Sequence, residues 1–223
     1  MNKILEQKRE MGIFFPYYKI LCIMDKNFQQ KFVKTIEDNV EGFYTYYQIL
    51  LSFIFWQNQN GTFVELGSYF GKSTIVTLLA TEGNDFEFHA VDIFTGSPEH
   101  KDRLQGKSTY PQYCENLKKF GLLDKVNTHI GTSYNISQTF ANNSLDGIFI
   151  DAAHDYDNVV LDIESWYPKL KSGAFMIGHD YPHPNDPHGG FHGLRDAVNE
   201  KVRDSDKFYN FGHLFAIWGA IKK

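Results

Sequence analysis

The sequence predicts an α/β fold, a mostly parallel sheet covered by helices on both faces. Three observations carry the prediction. From Gly61 onward, short apolar runs alternate with segments whose apolar residues recur at helical spacing. One run, Phe63-Val64-Glu65-Leu66, breaks into Gly67-Ser68-Tyr69-Phe70-Gly71 and restarts with Ile75, Val76, Leu78 and Leu79. That is strand, glycine turn, helix. Finally, Asp92, Asp151 and Asp180 each follow an apolar run, at the strand ends where parallel sheets hold ligands.

The chain of 223 residues suits one compact domain with a sizeable core, and 42% hydrophobic residues is an ordinary globular value. A net charge of −5 disfavours a generic nucleic-acid binder, whose phosphate contacts need a basic face. Cys22 and Cys114 form neither a metal spacing nor a disulfide framework, so a reducing cytoplasm is the expected location. The first ten residues carry no apolar signal core, and the longest apolar stretch, 49–56, is too short for a bilayer. No membrane partner is expected.

Residues 1–60 read as a helical extension preceding a domain over 61–223. Within it 13–24 is strongly apolar, and 44–57 carries apolar residues on more than one face. Such a helix is mostly buried, or is shared with a second copy in a homo-oligomer. Strands follow at 62–66, 86–92, 125–131, 145–151 and 173–178, with helices at 71–81, 113–120, 158–170 and 194–202 between or after them. Residues 208–221 read as two closing strands joined near Gly212. The polar stretch 95–111 is long enough for a functional loop or a lid.

Glycines in a strand-to-helix turn let a ligand approach main-chain N–H groups. Gly-Lys-Ser-Thr at 71–74 evokes a phosphate loop. That motif needs four residues between its glycines, whereas Gly67 and Gly71 enclose three, and Glu65 would repel phosphate. The dinucleotide pattern G-x-G-x-x-G fails because position 69 is Tyr. Asp92 lies at the distance from the glycines at which an acid accepts hydrogen bonds from both ribose hydroxyls. Asp151 opens Asp-Ala-Ala-His-Asp-Tyr-Asp, and Gly178-His179-Asp180-Tyr181 ends the fifth strand. Adjacent parallel strands bring Asp151 and Asp180 to one edge, where two carboxylates repel or share a cation. Oxygen ligands suit Mg²⁺ or Ca²⁺; His179 and His154 would shift the site towards Mn²⁺, Fe²⁺ or Zn²⁺. His183, His188 and His192 invite a zinc reading, but spacings of five and four match no tight motif.

The Glu65-x-Gly67-x-x-x-Gly71 turn resembles motif I of class I S-adenosylmethionine-dependent methyltransferases. Ile-Asp-Ala-Ala-His-Asp-Tyr, Lys-Ser-Gly-Ala-Phe-Met-Ile-Gly-His-Asp-Tyr and Phe-His-Gly-Leu-Arg-Asp-Ala-Val-Asn-Glu are similar to later segments of one branch, the metal-dependent sugar and macrolide O-methyltransferases. The resemblance covers about residues 60–203. It implies a Rossmann-like, doubly wound sheet of seven strands with an antiparallel last strand. It implies S-adenosylmethionine bound by Glu65, Gly67, Ser68, Tyr69, Gly71, Ser73, Asp92, Ile93, Ser133 and Asp151, with Ser133 near the adenine. It implies a cation, Mg²⁺ or another divalent ion, at Asp151, His179 and Asp180, although His179 stands where the family has an acid. Relatives with a basic carboxylate two residues after the first acid have Ala153 as their counterpart here, so His154 is the expected general base, beside Asp151 and Asp180. The expected reaction is methylation of a hydroxyl on a small molecule or sugar. Rival readings are a non-catalytic cofactor-binding subunit, a phosphate-loop phosphotransferase and a metal hydrolase built on the histidine loop.

Overall fold

A computed structural model describes residues 26–96, 101–181 and 191–223. The apolar stretch 13–24, with Cys22, lies outside the described residues, as do His183 and His188. Two helices, α1 (Lys26–Asn39) and α2 (Tyr46–Trp56), precede β1 (Gly61–Leu66). Then come α3 (Lys72–Ala80), β2 (Phe86–Asp92), the short α4 (Lys101–Leu104), α5 (Tyr110–Lys119), β3 (Asn127–Ile130) and α6 (Ser133–Ser137). The chain continues through β4 (Leu145–Ile150), α7 (Tyr156–Trp166), β5 (Leu170–Gly178), α8 (His192–Val198), a π-helical turn (Asn199–Arg203), β6 (Phe208–Leu214) and β7 (Ile217–Lys222).

The strands form one sheet in the order β3-β2-β1-β4-β5-β7-β6. Pairings from β3 through β5 are parallel, and β7 runs antiparallel to both β5 and β6. The seven-stranded sheet with a reversed last strand agrees with the sequence expectation. Strand order reverses between β1 and β4, which creates the crevice at their carboxyl ends where such sheets bind ligands.

Alternation along the strands sorts the core onto two faces. Phe63 and Phe88 pack with α1, α2, α3 and α5 through Val33, Ile36, Ile49, Leu50, Ile75 and Tyr113. Val64, Leu66, Ile148 and Met176 pack on the other face with Val159, Ile163 and Trp166 of α7 and Ala197 and Val198 of α8. Helix α2 is buried along Ile49, Leu50, Leu51, Ile54, Phe55 and Trp56, so most of its apolar surface belongs to this core. The N-terminal helices therefore share the core of the sheet. Among the described residues no helix is long and apolar enough to cross a membrane.

Three details depart from the sequence reading. Helix α5 begins at Tyr110, with Pro111 in its first turn, where the missing N–H costs nothing. Residues 133–137 form a helix, whose first turn is capped by Thr132 Oγ1 accepting from Asn135 N–H at 3.3 Å. The closing hairpin turns at Phe215 and Ala216, both at positive φ, rather than at Gly212, which is paired within β6. Gln48 Nε2 donates to Phe215 O at 2.8 Å, fastening this turn to α2.

Candidate active site

The glycine turn is shaped by its neighbours. Gly67 has φ 83°, and a Cβ there would lie 2.0 Å from the carbonyl oxygen of Asp151, so only glycine lets the ends of β1 and β4 meet. Asp92, at the end of β2, holds the turn from the other side. Its Oδ2 accepts from the N–H groups of Ser68 at 2.7 Å and Tyr69 at 2.8 Å, and its Oδ1 from Phe94 N–H at 2.6 Å. Two loop amides that a phosphate would need are thus committed to a carboxylate, which weighs against the phosphate-loop reading.

Glu65 points into the core. It is fully buried, and Ser68 Oγ, at 2.8 Å, and Thr74 Oγ1 both donate to its Oε2. Burial drives its carboxyl up to about 7, opposed by the hydroxyls around it. Its contacts clamp the start of the turn to the first turn of α3.

Two cavities open at the carboxyl edge of the sheet. The larger, about 440 Å³, is lined by Gly67, Tyr69, Asp92, Ile93, Ser133 and Asp151, all expected cofactor contacts. The smaller, about 170 Å³, takes in Ser68, Ser73, His154, His179 and Asp180. Of the expected cofactor contacts, Ser68 and Ser73 therefore face the smaller cavity. Glu65 lines neither, and Gly71 serves as the N-cap of α3 at φ 83°. Gly67, Tyr69, Asp151 and Ala152 line both cavities, so the two spaces adjoin at Asp151.

Beside that junction lies a cluster of acids and histidines. His154 Nε2 is 2.9 Å from Asp180 Oδ2. His179 Nδ1 is 3.1 Å from the same oxygen and 3.6 Å from Asp151 Oδ1. Asp180 adopts φ 60°, a left-handed conformation that turns its side chain back into this group. Burial alone would raise its carboxyl, but the hydrogen bonds to His154 and His179 bring it well below the ordinary carboxylate value. Burial pushes the Asp151 carboxyl up to about 6, against the pull of His179. For buried His179, desolvation lowers the imidazole, yet Asp151 and Asp180 together outweigh it and hold it above its ordinary value.

Ligand atoms of Asp151, His154 and Asp180 lie within 4.8 Å of one another. His179, expected as a ligand, adjoins this trio through its contacts with Asp180 and Asp151, and its ring stacks on Tyr44 at 4.9 Å. His154 in turn stacks on Phe191 at 3.9 Å. His192 opens α8 and lies outside the cluster.

Sequence reasoning missed several residues that line the larger cavity, namely Thr109, Tyr134, Asn158, Leu161 and Asp162. Asp162 is buried, and burial raises its carboxyl to about 6. Its signal in the sequence is an acid flanked by the core positions Val159, Ile163 and Trp166 on α7. Ser133, the expected adenine contact, accepts from Trp166 Nε1 at 2.8 Å, which fixes it on the wall of that cavity.

A family described as a methyltransferase domain matches residues 64–181, more than half of the chain. The chain belongs to this methyltransferase family. Solved structures share its fold at low sequence identity. A Podospora anserina methyltransferase with bound SAH superposes with a TM-score of 0.62 at 14% identity, over 90% of this chain and 97% of that one. An O-methyltransferase from Bacillus cereus in complex with SAH gives 0.60 at 18%, over 93% and 96%. A SAM-dependent O-methyltransferase from Thermotoga maritima gives 0.58 at 14%, over 82% and 67%. The match over 64–181 spans the glycine turn of this methyltransferase, both aspartates of its cluster and Asp92.

Proposed function

We propose that this methyltransferase moves the methyl group of S-adenosylmethionine to a hydroxyl of a small molecule or sugar. One observation carries the reading: His154, Asp151 and Asp180 stand where the larger cavity meets the smaller. A cofactor in the larger space and an acceptor in the smaller would meet beside an acid–base cluster. The O-methyltransferase neighbours support the choice of oxygen as acceptor.

When bound, the cofactor supplies a sulfonium methyl, whose C–S bond breaks with its electron pair left on sulfur as the new C–O bond forms. The chain's residues then have three tasks. Gly67 would give backbone access beneath the cofactor, and Asp92 holds the turn in place, with one lone pair on Oδ1 left to accept from a ribose hydroxyl. The walls of the two cavities align the acceptor oxygen with the methyl, the main source of rate in such a displacement. His154 takes the hydroxyl proton, and Asp180, 2.9 Å away, stabilises the imidazolium that forms.

Asp151, His154 and Asp180 also fit a divalent cation, in which case His154 would be a ligand in place of the base. Two carboxylates and an imidazole are a mixed donor set suited to Mn²⁺, Fe²⁺ or Zn²⁺ more than to Mg²⁺. Bound there, the ion would lower the pKa of an acceptor hydroxyl.

The test pairs calorimetric titration of S-adenosylhomocysteine with turnover of the His154→Ala variant. The variant should bind S-adenosylhomocysteine as the parent does and lose about a hundredfold in turnover. Absence of S-adenosylhomocysteine binding in the parent would overturn the cofactor, and unchanged turnover in the variant would overturn the base.

A further inference from the structure

Lys72 belongs to the Gly-Lys-Ser-Thr segment that the phosphate-loop reading leaves unexplained. It is 9% exposed and lines the smaller cavity. The stem of its side chain runs under the 41–44 segment, where a Cβ on Gly42 would lie 3.0 Å from Lys72 Cδ. Among the described residues its ammonium makes no hydrogen bond or ion pair, and Glu37, whose field acts on it, is exposed.

The stem of Lys72 is packed away, while its ammonium keeps contact with solvent and is open to pair with an arriving anion. Two of the acids lining this cavity have partners of their own. Glu41 pairs with Arg103, whose guanidinium also lies 5.1 Å over the Phe43 ring. Asp180 is held by His154 and His179. Among the described residues lining the cavity, Lys72 is a cation without such a pairing, and an anionic group on a ligand would complement it.

The cavity's size and walls narrow that ligand. Its volume of about 170 Å³ is close to that of a cavity of about 150 Å³ known to hold benzene, so it accommodates one ring. Phe43, Tyr44, Tyr69, Phe70 and Phe191 give it aromatic walls.

We propose that the acceptor is a one-ring hydroxy acid, its carboxylate paired with Lys72 and its hydroxyl turned towards His154 and Asp180. The inference rests on the methyltransferase reading above and names the acceptor class for it. Desolvation depresses the Lys72 ammonium, and an arriving carboxylate reverses that effect. Lys72 is a binding and specificity residue in this scheme and takes no part in moving the proton.

The experiment uses two ligand pairs matched in ring and hydroxyls: 3,4-dihydroxybenzoate against 3,4-dihydroxybenzamide, and glucuronate against glucuronamide. Each is titrated into protein loaded with S-adenosylhomocysteine, as parent, Lys72→Met and Lys72→Arg. The acid of one pair should bind about tenfold more tightly than its neutral partner, as expected for one charge-assisted pairing. Which pair shows the preference separates an aromatic acid from a sugar acid. Lys72→Met should erase the preference with S-adenosylhomocysteine affinity unchanged, and Lys72→Arg should keep part of it. Equal binding of acid and neutral partner, a preference that survives Lys72→Met, or no binding by either pair would overturn the proposal. Failure of S-adenosylhomocysteine to bind would instead overturn the cofactor reading, and the same titrations without it would still decide the Lys72 pairing.

Discussion

His154 from the β4 end and Asp180 from the β5 end meet at 2.9 Å, Nε2 to Oδ2. The contact joins neighbouring parallel strands at the edge where the two cavities adjoin. Asp180 can make it because its backbone adopts φ 60° and returns the carboxylate towards both histidines. The same oxygen serves His154 and His179, so one carboxylate organises the whole cluster.

Asp180→Asn should therefore act on two properties together. Turnover should fall at least tenfold, because the imidazolium loses its counter-charge. The heat of Mn²⁺ binding in a calorimetric titration should disappear, since a carboxylate ligand is gone. Equal Mn²⁺ affinity in parent and variant would remove Asp180 from the cation set.

Asp92 accepts from the N–H groups of Ser68, Tyr69 and Phe94. Asp92→Asn replaces a carboxylate by a group with one acceptor oxygen and no charge. Hydrogen bonds to charged groups contribute about 1.5–3 kcal/mol each, and the variant should lose about 2 kcal/mol of stability in urea unfolding. S-adenosylhomocysteine affinity should drop more than tenfold in the same variant. A stability loss with full affinity retained would confine Asp92 to holding the turn.

Glu65 makes stability depend on pH. Its carboxyl titrates near the ordinary value of 4.5 when unfolded and at about 7 when folded. Below the lower value both states are protonated and no difference arises. Between the two, the unfolded chain gives up its proton first, so stability falls as pH rises and the loss is complete above about 7. Glu65→Gln, neutral throughout, should escape this loss. Chemical denaturation at pH 5 and pH 8 should show the variant gaining about 3 kcal/mol relative to the parent on moving to the higher pH. A parallel pH response in both proteins would contradict a protonated, buried Glu65.

Gly67→Ala should be among the most damaging single-methyl changes. Its Cβ would lie 2.0 Å from the Asp151 carbonyl oxygen, and φ 83° is strained for alanine. A loss of about 3 kcal/mol or more is expected, with separation of the β1 and β4 ends and loss of S-adenosylhomocysteine binding. A variant of near-parental thermal stability would show that the turn can relax.

The strands were legible because each is a short apolar run bounded by a turn, with aspartates marking the ends of β2, β4 and β5. The helix start at Tyr110 was hidden by Pro111, which reads as a loop residue until its place in the first turn is known. The short α6 was hidden because five residues hold too little periodicity to declare a helix.

By itself, the sequence determined the alternating architecture, the glycine turn at 67–71 and the acids at the sheet edge. These depend on local patterns, namely apolar periodicity, glycine at forced conformations and the position of a residue along its strand. Only the tertiary structure decided where side chains of similar appearance point. Glu65 and Asp92 are both acids beside the turn, yet one is sealed in the core under two hydroxyls and the other grips the loop amides from the edge of the larger cavity. His154 and His179 both stand near Asp180, yet His154 stacks on Phe191 and lies in the candidate cation group while His179 stacks on Tyr44. Lys72 resembled half of a phosphate motif, yet its stem packs against Gly42 and the residue lines the small aromatic cavity. Burial and direction are set by distant segments packing together, and no local stretch of sequence encodes them alone.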